Sequence, residues 1–217
     1  MIDNNYHYGV EELVKRYPSL EVCADDIKKA YKILEYCYEN GHKLLIAGNG
    51  GSCADSEHIV GELMKGFKKD RHVNETLKKE LTNIDPIKGA ELANNLQLGL
   101  PAIALDSHQG LNTAVINDIS NGGEFAFAQQ LNVLGNKEDV FLGISTSGNS
   151  KNVFNAAIVA KAKGLKIIAL TGETGGKLSS IADCTIKVPS KETFMIQEMH
   201  LPIYHCLCLM LEDHFFK

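Results

Sequence analysis

Apolar positions along this chain switch between two periods. From Val10 to Tyr17 and again from Leu20 to Asn40 they recur at three and four (Val22, Ile27, Ala30, Tyr31, Ile33, Leu34, Cys37), the spacing of one helix face, and Gly41 supplies a stop. At Lys43 the period changes. KLLIA is an apolar run of strand length, Gly48–Ser52 suits neither helix nor strand, and helical spacing returns up to Met64. Further on, Ala102–Leu105, Val140–Ile144, Lys166–Leu170 and Thr185–Val188 read as strands. Gly110–Asp118, Glu124–Leu134 and Lys151–Lys163 read as helices, the last closed by Gly164. Thr193–Phe215 reads as an apolar helix kinked or broken at Pro202. Near-continuous apolar strands separated by helices predict an α/β fold with a parallel sheet covered on both faces.

The pattern predicts a single domain over residues 1–217, with a helical leader (1–41) that either covers a sheet face or packs against another subunit. Residues 67–100 break the alternation. FKKDRH, NETLKKELTN, Asp85-Pro86 and GAELANNLQLGL offer little to pack a core, so the stretch reads as a surface insertion of lid-like length.

Bulk composition narrows the classes. With 44% apolar and 23% charged residues the chain is ordinary for a globular protein, and a formal net charge of -5 argues against a nucleic-acid or anionic-membrane surface. Any bound anion must then be held locally, by loops and helix dipoles. The six cysteines form no CxxC pair and several sit in apolar helical patterns, as free thiols in a reducing compartment would. Together with an N-terminus unlike a signal peptide and no apolar run near the ~18 residues of a membrane span, this predicts a cytoplasmic protein.

Two loops carry candidate chemistry. GNGGS (Gly48, Asn49, Gly50, Gly51, Ser52) lies between a strand and a helix, where backbone N–H groups can face an anion. It lacks the Gly-Lys-Ser/Thr of a nucleotide-binding P-loop and the dinucleotide fingerprint. In the helix that follows, His58 and Glu62 share a face, which suits a metal, an acid/base pair or simply a solvated ion pair. STSGNS (Ser145, Thr146, Ser147, Gly148, Asn149, Ser150) has four hydroxyls at a helix start. Ser150 alone would suffice as an N-cap, and the other hydroxyls make a phosphate cradle that needs no Lys or Arg. Both loops follow strands, so they belong at the carboxyl edge of the sheet, facing one pocket.

Taken together, GNGGS, STSGNS, LTGETGGKL and IQEMH resemble the sugar isomerase (SIS) domain, and from Lys43 to the C-terminus their order resembles the phosphoheptose isomerases within it. The resemblance implies a flavodoxin-like five-stranded parallel sheet and a homotetramer with sites at subunit interfaces. It also implies conversion of sedoheptulose 7-phosphate to D-glycero-D-manno-heptose 7-phosphate through an enediol. Residue by residue, it implies a Zn2+ ion held by His58, Glu62, Gln197 and His205, with Glu62 and His205 as the acid/base pair. Asn49, Gly50, Gly51, Ser52, Asp106 and Gln197 would contact the sugar, and Ser145, Thr146, Ser147 and Ser150 the phosphate. Asn117-Asp118 matches a family segment as well. Gln197 and His205 are ~12 Å apart in helix rise, so they reach one ion only if side chains converge, the helix deforms near Pro202, or different subunits contribute.

Three departures stand out: Phe194 where relatives carry an acid, Gly66 where they carry a basic residue, and an unusually long 67–100 connection. A rival class, SIS adaptors that bind a replication initiator, shares the motifs down to IQEMH. Those adaptors lack Glu and His at the positions matching Glu62 and His205.

Overall fold

The computed structural model describes residues 9–216; the first eight positions of the leader and Lys217 lie outside the described residues. Its helices are α1 (Val10–Arg16), α2 (Ala24–Glu39), α3 (Gly51–Met64), α4 (Glu75–Ile84), α5 (Lys88–Asn95), α6 (Gln109–Asp118), α7 (Ala126–Leu134), α8 (Lys151–Ala162) and α9 (Thr193–Phe215). The strands are β1 (Leu44–Ala47), β2 (Ala102–Ala104), β3 (Val140–Ile144), β4 (Lys166–Thr171) and β5 (Cys184–Lys187). They pair in parallel in the order β2-β1-β3-β4-β5. This is the flavodoxin-like α/β arrangement that the apolar runs and the resemblance predict.

Strand pleating divides the core in two. Leu44, Ile46, Leu142, Ile144, Ile168 and Ile186 face one layer, where they meet Leu13, Ile27 and Leu34 of the leader, Ile59 and Leu63 of α3, and Leu207 of α9. Leu45, Ala47, Phe141, Ile167 and Ala169 face the other, against Phe127 and Leu131 of α7 and the small Val153, Ala156 and Ala160 of α8. Each fully buried leucine or isoleucine contributes roughly 1.5–3 kcal/mol. In the first layer α2 covers a sheet face, packed on β5 and α9, the first of the two roles open to the leader.

Three local expectations change. Pro18–Cys23, read as the start of a long helix, is a separate 3-10 segment; Pro18 at its first position has a fixed φ and no N–H to lose. Helix α9 runs unbroken through Pro202, which is buried in its middle. Packing of the surrounding apolar residues outweighs the one lost backbone hydrogen bond.

The 67–100 stretch holds two helices, α4 and α5, packed on each other, and α4 buries none of its residues. The base of this hairpin is nevertheless anchored in the interior. Arg71 has a fully buried side chain and donates through Nε to Glu212 of α9 at 2.9 Å. Arg71 also donates to the carbonyls of Leu63 (2.7 Å) and Glu62 (3.1 Å) in the last turn of α3, the first of which is shared with the Leu100 N–H at 2.9 Å. An arginine that reads as surface charge thus holds α3, α9 and the hairpin together.

Candidate functional site

In this strand order the chain leaves β1 toward β2 on one side and later adds β3 on the other, so the topological switch lies between β1 and β3. Gly48–Ser52 follows β1 and Ser145–Ser150 follows β3, and the two loops therefore flank that crevice. Reciprocal amide hydrogen bonds between Asn49 and Asn152 (3.0 and 2.8 Å) tie the first loop to the start of α8. A cavity of about 230 Å³ beside the first loop is lined by Gly48, Asn49, Gly50, Cys53, Asp106, Asn112 and Asn152 among others, and by none of Ser145–Ser150, so the two loops do not line the one pocket that the sequence predicts. A larger hollow of about 320 Å³, lined by His108, Leu111, Gln129, Gln130, Val133 and Leu134, lies apart from both loops and offers few donors.

The second loop is built to leave donors free. Gly148 sits at φ +66°, where a Cβ would drive into the Gly175 carbonyl, so glycine is required. Ser150 stands at the N-cap of α8, but its hydroxyl makes no cap; it lies 2.9 Å from the Ser145 hydroxyl instead. Ser147 and Asn149 are exposed and Thr146 is half-buried. The first loop is shorter than the sequence suggests, because α3 already begins at Gly51 with Gly50 (φ +58°) as its N-cap. Ser52 is buried under the loop. Asp106 uses Oδ2 to accept from the Gly48 N–H and the Ser56 hydroxyl, while Oδ1 is buried without a partner; burial raises its pKa above the usual carboxylate value. Asn117 and Asp118 are exposed at the end of α6 and bond each other.

His58 and Glu62 on α3 face His205 on the neighbouring α9. The Nε2 of His58 lies 3.1 Å from Glu62 Oε1 and 3.5 Å from His205 Nε2. Burial, then the charge of His58, pushes the His205 imidazole below its ordinary pKa. Glu62 Oε2 is buried and makes no hydrogen bond, although Lys65 Nζ stands 3.5 Å away at a poor angle. These groups suit a cation. Two imidazole nitrogens sharing a tetrahedral ion at ~2.0–2.1 Å would lie about 3.4 Å apart, close to the separation seen.

Gln197, the fourth residue of the expected ligand set, is not brought to this point. Its amide lies against Gly51, where a Cβ would come within 2.6 Å of Nε2, at the far end of α3 from Glu62. Phe194 is exposed in the first turn of α9. Among the described residues, a group of three whose ligand atoms all lie within 4.8 Å of one another is Cys53, Glu57 and Asp106.

Sequence reasoning missed two neighbours of His58. Tyr204 places its hydroxyl 3.0 Å from His58 Nδ1 and donates to Asp55 Oδ1 at 3.2 Å. Asp55, His58 and Glu62 lie at i, i+3 and i+7 on one helix face, a spacing that could have drawn attention to Asp55.

The SIS domain family matches residues 87–172, from the start of the hairpin's second helix to just beyond β4. Over 180 residues the chain is 42% identical to a phosphoheptose isomerase of Aneurinibacillus thermoaerophilus, covering 83% of this chain and 77% of that protein. It is 40% identical over 197 residues to the phosphoheptose isomerase of Helicobacter pylori strain P12, covering 91% and 88%. This chain belongs to the phosphoheptose isomerase family. Among solved structures, the phosphoheptose isomerases of Neisseria gonorrhoeae (TM-score 0.72, 29% identity) and Francisella tularensis (0.71, 32%) each align over 94% of both chains. As a phosphoheptose isomerase relative the chain is an enzyme of the sugar-phosphate isomerase class. Among the described residues no helix is long and apolar enough to cross a membrane.

Proposed function

We propose that this enzyme interconverts sedoheptulose 7-phosphate and D-glycero-D-manno-heptose 7-phosphate by proton transfer through an enediol. The observation that carries the reading is the meeting of His58 and Glu62 from α3 with His205 from α9. Glu62 takes a proton from C1 of the ketose through Oε2, which has no hydrogen bond to give up. The C2 oxygen gains a proton in the same conversion, giving the enediol; delivery of a proton to C2 and loss of the O1 proton then give the aldose, with no net change in protons. His205 relays the hydroxyl proton: its imidazole, held below its ordinary pKa by burial, accepts it from O1 and returns it to the C2 oxygen, so the proton gained there is the one lost from O1. A divalent cation such as Zn2+, held by His58, Glu62 and His205, would polarise the carbonyl and stabilise the developing oxyanion.

Hydroxyls of Ser145, Thr146, Ser147 and Ser150, with the uncapped amides of α8, hold the phosphate. Asn49, Ser52 and Asp106 contact sugar hydroxyls beside the Gly50-Gly51 backbone. Gln197 completes the ligand set from another copy of a cytoplasmic homotetramer whose sites lie at subunit interfaces. A panel of five-, six- and seven-carbon ketose phosphates, with NMR of the products, tests the assignment. Turnover of the seven-carbon phosphate and loss of nearly all activity on the unphosphorylated sugar are expected, because unpaired phosphate donors are costly. Preference for a pentose or hexose phosphate would refute the heptose assignment.

A further inference from the structure

We propose that Tyr204, backed by Asp55, is a positioning residue that fixes the ring of His58 and the hydrogen on its Nδ1, turning Nε2 toward Glu62 and His205. The proposal rests on the reading of His58 as a working ligand in the site above. Tyr204 is buried in α9, and its ring meets that of His58 edge-on, with centroids 5.5 Å apart at 75°. Its hydroxyl is shared between His58 Nδ1 at 3.0 Å and Asp55 Oδ1 at 3.2 Å.

Counting donors decides the direction of both bonds. An ionised carboxylate only accepts, and a phenol has a single proton, so Tyr204 must spend that proton on Asp55. Toward His58 the phenol oxygen can then only accept. His58 Nδ1 therefore carries the hydrogen, and Nε2 is turned to the point it shares with His205 Nε2 and Glu62 Oε1, where it gives a proton to the carboxylate or, once that proton has left, a lone pair to a cation. With Nδ1 bare, the single hydrogen of a neutral ring would sit on Nε2 and be held by Glu62 across 3.1 Å, closing that point to a cation. Histidine ligands elsewhere are fixed through a carboxylate or carbonyl on the second nitrogen, and here a phenol stands between the carboxylate and the ring. A purely space-filling role would be met equally well by phenylalanine.

The test is Tyr204→Phe, with Asp55→Asn as a second variant and thermal melting as the control for folding. Imidazole 15N shifts are recorded on metal-free protein at about pH 8.5, above histidine titration, with the His58 signal assigned by its loss in His58→Gln. Wild type should show the Nδ1–H form; Tyr204→Phe should populate the Nε2–H form, and Asp55→Asn should move the same way by less. Co2+ titration should show affinity reduced roughly 10–100-fold in Tyr204→Phe. Wild-type tautomer and wild-type Co2+ affinity in a folded Tyr204→Phe protein would overturn the proposal. A tautomer shift in a protein whose wild type binds no cation would uphold the positioning role and remove the metal reading alone.

Discussion

Replacing either partner of the Arg71–Glu212 pair should destabilise the enzyme strongly and unequally. Both side chains are shut off from water, at 0% and 2% exposure. Glu212 also accepts from the backbone N–H groups of Phe67 (2.8 Å), Lys68 (2.9 Å) and Lys69 (3.3 Å), and the guanidinium stacks 4.3 Å over the Phe216 ring. Arg71→Met takes donors from two α3 carbonyls but leaves the carboxylate with three amides, a loss of about 3 kcal/mol. Glu212→Leu strands a buried guanidinium and three amides together, about 5 kcal/mol, at the upper end for breaking a buried pair. Against a total stability of roughly 5–15 kcal/mol, the second variant should be close to unfolding. Urea denaturation read as a shift in midpoint at constant slope measures both. The double variant should cost less than the sum, because the charges leave together while the amides stay unpaired. A cost below about 1 kcal/mol for either single change, or a greater cost for Arg71→Met, would refute this account of the clamp.

Three further outcomes follow from particular groups. His200 is completely buried, its ring nitrogens have no hydrogen bond of sound geometry, and burial lowers its pKa from 6.5 to about 4, with the Thr171 backbone offsetting part of the fall. The unfolded chain therefore binds this proton more readily, so the stabilisation is complete above about pH 6.5 and is lost as pH falls toward 4; wild type should lose about 2 kcal/mol more than His200→Leu between pH 7 and 5 in parallel urea titrations. Gly148→Ala, forced to φ +66° and into the Gly175 carbonyl, should lose more than about 2 kcal/mol and raise KM for the phosphosugar, and an unchanged KM would separate this loop from phosphate binding. Glu62→Gln and His205→Gln should each lower kcat roughly a hundredfold with melting temperature preserved, and retention of most activity would dismiss that residue as acid or base.

The sheet was legible because its strands are buried on both faces: runs such as Val140–Ile144 carry no polar interruption, and the loops after them stand out by contrast. The shared face of His58 and Glu62 was legible through their four-residue spacing, which left metal, acid/base and solvated ion-pair roles open. His205 became legible only through the resemblance, since an apolar helix containing Tyr204-His205-Cys206 looks like core on both sides. Contacts between elements distant in sequence left no local trace. Nothing in FKKDRH marks Arg71 as the interior residue among three cations, because its counter-charge, Glu212, arrives 141 residues later. For the same reason the hairpin reads as loose while its base is fixed, and Pro202 reads as a break although packing carries the helix through it.

The placement of the cations bears on how an acidic protein can hold a phosphate ester. The sequence has two arginines; Arg71 is consumed inside the clamp, and Arg16 ends the leader helix α1. Lys151, the first residue of α8, is turned to Glu124 at 2.7 Å, so the cation nearest in sequence to the hydroxyl loop is paired elsewhere. Hydroxyl and helix-amide donors are fixed by backbone geometry and carry no mobile charge to be screened, so their strength depends on the loop keeping its shape. Gly148 and the Asn49–Asn152 amide pair impose that shape from the two sides of the crevice. Arg71 instead fixes the α3 end that carries Glu62, so in the proposed reaction phosphate binding and proton transfer would be supported by separate parts of the fold.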